Sequence, residues 1–375
     1  MKDSAIYLHI PFCDHKCIYC DFYSIITSDN IGNYLGGITK EIINYSQKYS
    51  TDRIYSSIYF GGGTPSLMEA DYLSEIINCI KEYYKVDDNA EITMETNPGT
   101  VSKEKLKRFK EAGFNRISIG IQSFDNEDLN FLTRIHDKEL AISTIIDAAE
   151  AGFENINVDL IFNLPGQTKQ KWLSNLEIAV KLPIKHVSAY SLILERGTIL
   201  NKMVLDGKVK IQDSDHDAEL YYLTMDYLKL KGFIQYEVSN FALPSYECMH
   251  NKAYWHYRDY LSFGTSAHSF MNGRRWWNFS SVKKYLSEIK RNGTAVANYE
   301  DLNNEQMVGE YIMLGLRSDG ININSLNEKF GSNWLDDRME KLKCFERDKL
   351  LIMNSCIRLT QKGYALCDKI LEDIL

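Results

Sequence analysis

The sequence of 375 residues lacks features that would place it in several classes of protein. It has no excess of positive charge, since 43 lysines and arginines stand against 51 aspartates and glutamates, a formal net charge of −8. Nucleic-acid binding usually needs a basic face, so this balance gives no reason to expect it. No apolar run approaches the length of about 20 residues that a transmembrane helix requires. The start, MKDSAIYLHIPF, lacks the basic and apolar regions of a secretory signal.

The chain also lacks the regular cysteine pattern of a disulfide-stabilised protein. Three of its eight cysteines lie together near the start, and the other five are scattered. In a chain of this length without a secretory signal, scattered cysteines are usually reduced thiols. We therefore predict a cytoplasmic protein, while peripheral contact with a membrane stays open.

The most informative feature is the run HIPFCDHKCIYCDF, which contains Cys13, Cys17 and Cys20. Spacings of three and two residues let one tight loop supply three thiolates to an iron–sulfur cube. A cube of four irons has four ligand positions, so one iron is left open for an outside ligand. The alternative is a zinc site with His9 or His15 as fourth ligand, although zinc sites more often show paired C-x2-C spacings.

Short strands alternate with helices from residue 5 to about 232, which indicates βαβ units and a parallel sheet. Six strands are predicted at 5–10, 53–60, 91–96, 116–121, 155–162 and 186–192. Helices are predicted between them, among others at 69–84, 102–112, 138–151, 169–181 and 215–231. Six units are too few for a closed eight-stranded barrel.

Glycines and polar residues follow the carboxyl ends of these strands, where parallel barrels carry their chemistry. The cysteines follow the first strand, and GGGTPS at 61–66 follows the second. Glu95 ends the third strand, Gln122 follows the fourth, and Asp159 lies within the fifth. Consecutive glycines before a helix let an anionic group approach bare backbone amides. The sequence thus predicts a site at one rim of the sheet.

Three segments are predicted: a sheet domain at 1–237, a connecting segment at 238–300 and a C-terminal domain at 301–375. The connecting segment starts with a linker-like stretch at 238–247 and continues with the run HNKAYWHYRDYLSFGTSAHSF. The C-terminal domain is predicted to be mostly helical with one hairpin, like a winged-helix domain. Because it holds 10 lysines and arginines against 13 acidic residues, we expect no nucleic-acid binding there.

The cysteine run resembles the CxxxCxxC signature of radical S-adenosylmethionine (SAM) enzymes. In that superfamily three cysteines hold a 4Fe–4S cluster whose open iron binds the amino and carboxylate groups of SAM. Over its whole length the chain resembles the oxygen-independent coproporphyrinogen III oxidase-like family, and within it the HemW-type branch of haem chaperones. The resemblance implies an α/β fold: a partial (βα)6 radical SAM barrel with a C-terminal, mostly helical, winged-helix-like domain.

The resemblance also assigns nine residues to the surroundings of SAM. They are Tyr7, Tyr19, Gly62, Gly63, Thr64, Glu95, Gln122, Arg134 and Asp159. By the family pattern the glycine turn holds the amino group of SAM, Arg134 pairs with its carboxylate and Asp159 with its ribose hydroxyls. The superfamily cleaves SAM with one electron from a reductant such as flavodoxin or ferredoxin. Whether this chain is itself an enzyme stays open, and no catalytic residue is assigned.

Two features favour the chaperone branch over the oxidases. The oxidases carry a further cysteine two positions after the third, where this chain has Phe22, and a longer segment before the cluster loop. Residues 250–255 match the HNxxYW motif proposed for haem binding in the chaperone branch. An imidazole suits haem iron and an aromatic neighbourhood suits a flat macrocycle. His250 is therefore the predicted haem ligand, with His256 and His268 in reserve.

These observations predict a protein that binds a 4Fe–4S cluster, SAM and haem or another porphyrin, and that delivers haem to an acceptor protein. One alternative is an oxidase that decarboxylates coproporphyrinogen III to protoporphyrinogen IX. A second alternative is another radical SAM enzyme, such as a methyltransferase, which would share the cluster loop.

Overall fold

The computed structural model describes residues 1–26 and 31–375, and strands and helices alternate along them. The strands are β1 (Lys2–Ile10), β2 (Arg53–Gly62), β3 (Val86–Thr96), β4 (Arg116–Gln122), β5 (Asn155–Phe162), β6 (His186–Ser191), β7 (Ile234–Gln235), β8 (Asn240–Ala242), β9 (Tyr260–Phe263), β10 (His268–Met271), β11 (Arg274–Asn278), β12 (Val296–Asp301), β13 (Ile321–Asn322), β14 (Leu351–Met353) and β15 (Cys356–Leu359). The helices are α1 (Ile31–Tyr49), α2 (Ala70–Tyr83), α3 (Lys103–Glu111), α4 (Asn126–Phe131), α5 (Lys138–Glu150), α6 (Lys169–Ala179), α7 (Ile199–Leu205), α8 (Ser214–Leu230), α9 (Met249–Trp255), α10 (Val282–Asn292), α11 (Asn304–Leu316), α12 (Ile323–Phe330), α13 (Asn333–Arg347), α14 (Gln361–Ala365) and α15 (Cys367–Ile374).

The first six strands lie side by side in chain order and are all parallel. Each of the six predicted strands is found, and so are the five predicted helices, four between these strands and one, α8, after β6, within a few residues at each end. Helix α1 was not among the named predictions; its apolar side chains recur on one face and are buried there. The predicted arrangement of six βα units in a partial barrel is confirmed.

Alternation along β1–β6 divides the sheet into an apolar face and a polar face. The apolar residues pack with the helices in one core and include Ile58, Phe60, Ile92, Met94, Ile117, Ile119, Val158 and Leu160. The intervening residues on the other face include Ser57, Tyr59, Glu91, Glu95, Arg116, Ser118, Asn157, Asp159, His186 and Ser188. The concave side of the partial barrel is therefore lined with polar groups before any ligand is considered.

The stretch at 238–247, expected to be a linker, contributes a strand instead. Strand β8 pairs antiparallel with β6, and β7 pairs with β8. At the opposite edge β9 pairs parallel with β1, and β10, β11 and β12 follow antiparallel. Twelve strands thus form one open sheet that runs across the predicted segment boundaries at 237 and 300. The division into three segments itself stays a prediction.

A buried carboxyl group fastens these added strands to the barrel. Glu41 on α1 accepts hydrogen bonds from the backbone N–H of Gly264 (3.0 Å), from Asn278 Nδ2 (2.7 Å) and from Tyr285 Oη (2.7 Å). Burial nevertheless raises the pKa of Glu41 to about 7. The three donors come from the end of β9, from β11 and from α10, so one side chain joins three later elements to the first helix.

The C-terminal part forms its own small core. Apolar residues of α11–α13 and α15 pack with the three-stranded sheet β13–β15–β14. The hairpin predicted near residue 351 is present as β14 and β15. These observations confirm a C-terminal, mostly helical unit with a short sheet. Within the described ranges, no helix is long and apolar enough to span a bilayer.

Gly264 offers a test of the junction between β9 and the barrel. Its φ is +100°, and an added Cβ would lie 2.6 Å from the His9 carbonyl oxygen and from Tyr34 Oη. We expect Gly264→Ala to lower the free energy of unfolding by about 2 kcal/mol or more, because it adds a clash to a left-handed backbone. Chemical denaturation measures the change.

The matched control is Gly36→Ala on the exposed face of α1, where nothing lies within 4 Å of an added Cβ. There alanine should stabilise the helix by about 1 kcal/mol. A Gly264→Ala variant as stable as the wild type would show that this junction is not rigid.

Candidate functional site

The three clustered cysteines lie in the loop that follows β1. The backbone N–H of Cys13 donates to the Ile25 carbonyl (3.0 Å), and that of Cys20 donates to the Cys17 carbonyl (3.2 Å). All three side chains are free thiols and are half-buried. The loop is thus closed on itself by backbone hydrogen bonds and presents its sulfurs from one short segment.

A chain of hydrogen bonds connects two of these sulfurs through three other elements. Thr64 Oγ1 lies 3.6 Å from Cys13 Sγ and accepts a hydrogen bond from Asn97 Nδ2 (3.0 Å). Arg134 donates through Nη2 to Asn97 Oδ1 (2.5 Å) and through Nη1 to Cys17 Sγ (3.4 Å). Burial raises the pKa of the Cys13 and Cys20 thiols, and the hydrogen bond from Thr64 opposes that rise at Cys13. Because metals bind thiolates, binding of a metal to this loop would release protons.

The glycine turn after β2 fits closely against the cysteine loop. The backbone N–H of Gly63 donates to the Ile10 carbonyl and that of Thr64 to the Phe12 carbonyl, both at 2.7 Å. A Cβ on Gly63 would lie 2.6 Å from the Phe12 carbonyl oxygen and 2.8 Å from that of Ile10. Only glycine lets the two segments approach this closely.

Glu95 is the acidic group beside the glycine turn. Its Oε1 accepts from Tyr59 Oη (2.8 Å), and its Oε2 accepts from the backbone N–H of Gly62 (3.1 Å). Burial, together with the charge of Asp159, raises the pKa of Glu95 to about 7. Glu95 therefore changes its charge near neutral pH.

Asp159 lies deeper on the polar face. Its carboxylate accepts from Ser118 Oγ (3.1 Å) and Asn157 Nδ2 (2.7 Å). Burial raises its pKa, and the hydrogen bonds and the Arg116 charge oppose that rise. Gln122, at the end of β4, has a left-handed backbone with φ 68° and is buried.

Arg116 is the main residue that the sequence-based interpretation missed. Its side chain is 2% exposed, and its Nε lies 3.7 Å from Glu91 Oε2. It stands on β4 in RISIGIQ, where charged or polar residues and glycine alternate with isoleucines. That period of two was the available signal, because it places Arg116, Ser118 and Gln122 on one face.

The structure brings all thirteen predicted site residues to one cavity of about 560 Å³. They are Tyr7, Cys13, Cys17, Tyr19, Cys20, Gly62, Gly63, Thr64, Glu95, Gln122, Arg134, Asp159 and His250. Asn97, Tyr59, Arg116, Ser118 and Asn157 line the same cavity and were not assigned a role from the sequence. Their convergence is a geometric fact; the role of each residue stays a prediction.

His250 occupies an enclosed position on α9. It is 2% exposed, and its ring stacks on Tyr59 with centroids 4.9 Å apart. Its Nδ1 lies 3.1 Å from Ser57 Oγ and its Nε2 lies 3.0 Å from Tyr254 Oη. Burial, aided by the Arg116 charge, lowers its pKa to about 3. Both ring nitrogens are engaged in this structure, so neither is directed at open space.

The residues named for the zinc alternative are also engaged. The two ring nitrogens of His9 lie 3.2 Å from Tyr7 Oη and 3.0 Å from the Tyr23 carbonyl. His15 Nε2 lies 3.3 Å from Thr133 Oγ1. Outside residues 27–30, no three His, Cys, Asp or Glu side chains converge as around a single metal ion. Thiolates bound to one zinc lie about 2.3 Å from it, whereas a cube of four irons holds its ligands further apart.

Residues 7–179 match the Radical SAM superfamily, and residues 302–366 match the HemN C-terminal domain. The chain is 35% identical over 371 residues to the haem chaperone HemW of Bacillus subtilis, covering 98% of this chain and 97% of that protein. The chain belongs to the HemW family of the radical SAM superfamily. It is also 34% identical to the haem chaperone HemW of Lactococcus lactis, covering 100% of this chain and 98% of that protein.

A solved structure, the coproporphyrinogen III oxidase HemN from Escherichia coli, matches with a TM-score of 0.84 and 22% identity, covering 99% of this chain and 89% of that chain. At this identity the likeness establishes the fold. Membership of the HemW family confirms the resemblance recognised from the cysteine and HNxxYW motifs. Membership of the radical SAM superfamily implies a 4Fe–4S cluster and SAM, and the three thiols, which line one cavity with the glycine turn and Glu95, fit that requirement.

The cysteine loop gives a direct test. We expect Cys17→Ala to remove most of the iron and sulfide from anaerobically reconstituted protein, because two thiolates cannot hold the cube. Cys344→Ser, at an exposed thiol on α13, should leave both contents unchanged. Metal analysis decides the matter: undiminished iron in Cys17→Ala contradicts the assignment, and zinc in the wild type would support the alternative.

Proposed function

We propose that this HemW-family protein is a haem chaperone that holds a 4Fe–4S cluster on Cys13, Cys17 and Cys20, binds SAM beside it, and passes haem to an acceptor protein. The observation that carries the proposal is the convergence of the cysteine loop, the glycine turn and Glu95 in one cavity. It occurs in a chain that matches haem chaperones over nearly its full length.

Different residues of the cavity bind different groups of SAM. Arg134, fixed by Asn97 and the Gly120 carbonyl (2.7 Å), presents a positioned cation for the SAM carboxylate. Glu95 and the glycine turn offer acceptors and close backbone approach for the amino group. Asp159 and Gln122 lie in the same cavity and supply partners for the nucleoside. When bound, the cluster and SAM supply one-electron chemistry at the sulfonium, with a flavodoxin or ferredoxin as the proposed reductant.

The oxidase alternative rests on the fold that the chain shares with HemN. Against it stands Phe22, which occupies the position where the oxidases carry a further cysteine. Its side chain is 63% exposed. The methyltransferase alternative has no structural feature of its own in its favour.

The proposal is tested with full-length protein that carries its cluster. Anaerobic addition of haemin should give a saturable Soret band, and apomyoglobin, as a general acceptor, should then take the haem. A second sample, with SAM, reductant and coproporphyrinogen III, should yield no protoporphyrinogen. Formation of that product would overturn the chaperone assignment in favour of the oxidase, and a wild-type protein without affinity for haemin would contradict the proposal.

The ionisation of Glu95 predicts a pH dependence of SAM binding. The ionised carboxylate of Glu95 binds the SAM ammonium group much more strongly than the neutral acid does, and its pKa is about 7. The affinity for SAM should therefore be roughly tenfold higher at pH 8 than at pH 6, in proportion to the ionised fraction. Equilibrium dialysis of SAM against anaerobic protein with its cluster in the oxidised state, which has no electron to cleave SAM, measures it.

Two variants separate this effect from the titration of SAM itself. Glu95→Gln should bind SAM more weakly and lose the part of the pH dependence that belongs to the protein. Tyr59→Phe should shift the profile to higher pH, because the Tyr59 hydrogen bond lowers the pKa of Glu95. Identical profiles for all three proteins would exclude Glu95 from the SAM site.

A further inference from the structure

A second cavity of about 620 Å³ lies on the other side of the wall that bounds the SAM cavity. Tyr7, Asp21, Phe22 and Tyr254 line both. The second cavity is lined by the cysteine loop, by strands β9–β11 and by Met313 and Leu314 of α11, so it lies between the sheet and the C-terminal unit. Its volume is within the usual range for a bound cofactor or ligand, about 300–1,000 Å³.

Aromatic rings dominate the lining of this second cavity. They belong to Tyr7, Phe22, Tyr23, Tyr254, Tyr257, Tyr260 and Phe270. Several contact one another: Tyr254 meets Tyr260 edge to face at 4.5 Å, and Tyr257 lies 4.9 Å from Phe270. Rings held in this way present flat, weakly polar surfaces, which suit a large planar ligand better than a charged nucleotide.

His268 differs from the other histidines near the two cavities. It stands on β10 and lines the second cavity, and part of its side chain is exposed. Its ring is stacked on Trp277 at 5.6 Å and 20°, which fixes the plane of the imidazole. Among the hydrogen bonds of the described residues, none reaches a ring nitrogen of His268. In contrast, both nitrogens of His9 and of His250 are engaged.

The protonation state of His268 also suits a role as a ligand to iron. Partial burial, together with the Arg275 charge, lowers its pKa below the ordinary value. The imidazole is therefore neutral at pH 7, the form that coordinates iron. Arg258 and Arg275 line the same cavity and now pair with Asp3, Glu300 and Glu310. A propionate presents the same carboxylate group to these arginines and would compete with those partners.

On the basis of the proposed haem-carrying function, we propose that the macrocycle occupies this second cavity and that His268, rather than His250, supplies the imidazole to iron. The HNxxYW motif then supports the lining of this cavity and does not supply the iron ligand. Tyr254 of the motif forms part of the shared wall, and His250 holds Tyr254 by its Nε2 while its ring supports Tyr59. His250 is thus a positioning residue for both cavities.

The experiment is an anaerobic haemin titration of full-length, cluster-containing protein, followed by Soret difference spectra and by electron paramagnetic resonance of ferric haem. Loss of an axial ligand should weaken binding by about tenfold or more in His268→Ala and remove the imidazole-ligated spectrum. His250→Ala should keep that spectrum while weakening SAM binding. His256→Ala, a histidine that contacts Asp319 at 2.9 Å, is the matched control and should behave as wild type.

Chemical rescue distinguishes a lost ligand from a damaged fold. Free imidazole added to His268→Gly should restore the ligated spectrum, because it replaces only the missing side chain. A His268→Ala protein with the wild-type spectrum, or a His250→Ala protein that alone loses it, overturns the assignment. Failure of the wild type to bind haemin overturns the proposed function itself, and the two failures are therefore distinct.

Discussion

The buried guanidinium of Arg116 is the constraint on which the interior of the partial barrel depends. It is 2% exposed on a face that also carries Glu91, Glu95 and Asp159. A buried charge is costly unless opposite charges and hydrogen bonds compensate it. Burial raises the pKa of Glu95 and Asp159, and the positive charge of Arg116 opposes that rise. Burial also lowers the pKa of His186 and His250, and the same charge adds to that decrease. Arg116 thus favours ionised carboxylates and neutral histidines around it.

The same network links the HNxxYW helix to the SAM cavity. Glu91, the ion-pair partner of Arg116, also accepts hydrogen bonds from Cys248 Sγ and the His250 backbone N–H, both at 3.3 Å. His250 in turn stacks on Tyr59, which donates to Glu95. Tyr254 and Tyr7 line both cavities, so a ligand that moved either ring would change the lining of the other cavity.

Much of the architecture could be predicted from the sequence because apolar residues recur at different spacings in strands and in helices. Runs rich in β-branched or aromatic residues between helical segments predicted the six parallel strands, and each lies within a few residues of its predicted place. The cysteine spacing and the glycine turn predicted the rim site, since both features are local. The roles around SAM came from the family resemblance, and the structure brings those residues together without testing each role.

Other features depended on contacts between distant segments. Strand β9 pairs with β1 across more than 250 residues, and nothing local in YLSF predicts that partner. Arg116 was assigned no role from the sequence, and its ion-pair partner Glu91 lies on a different strand. The enclosure of His250 has the same origin, because Ser57 and Tyr59 reach it from β2, more than 190 residues away in the chain. A motif gives the identity of a side chain. Whether the polar atoms of that side chain are free to bind a ligand depends on the fold around it.

An open sheet has two edges that could pair with another chain, and this one protects both. Strand β7 is only two residues long, so it offers few unpaired backbone groups. Strand β12 is longer, but its outer end carries Glu300 and Asp301, which pair with Arg275 and Arg274 of β11. Short or charged edge strands resist edge-to-edge association. The twelve-stranded sheet can therefore remain open, with its cavities accessible, without templating aggregation along its margins.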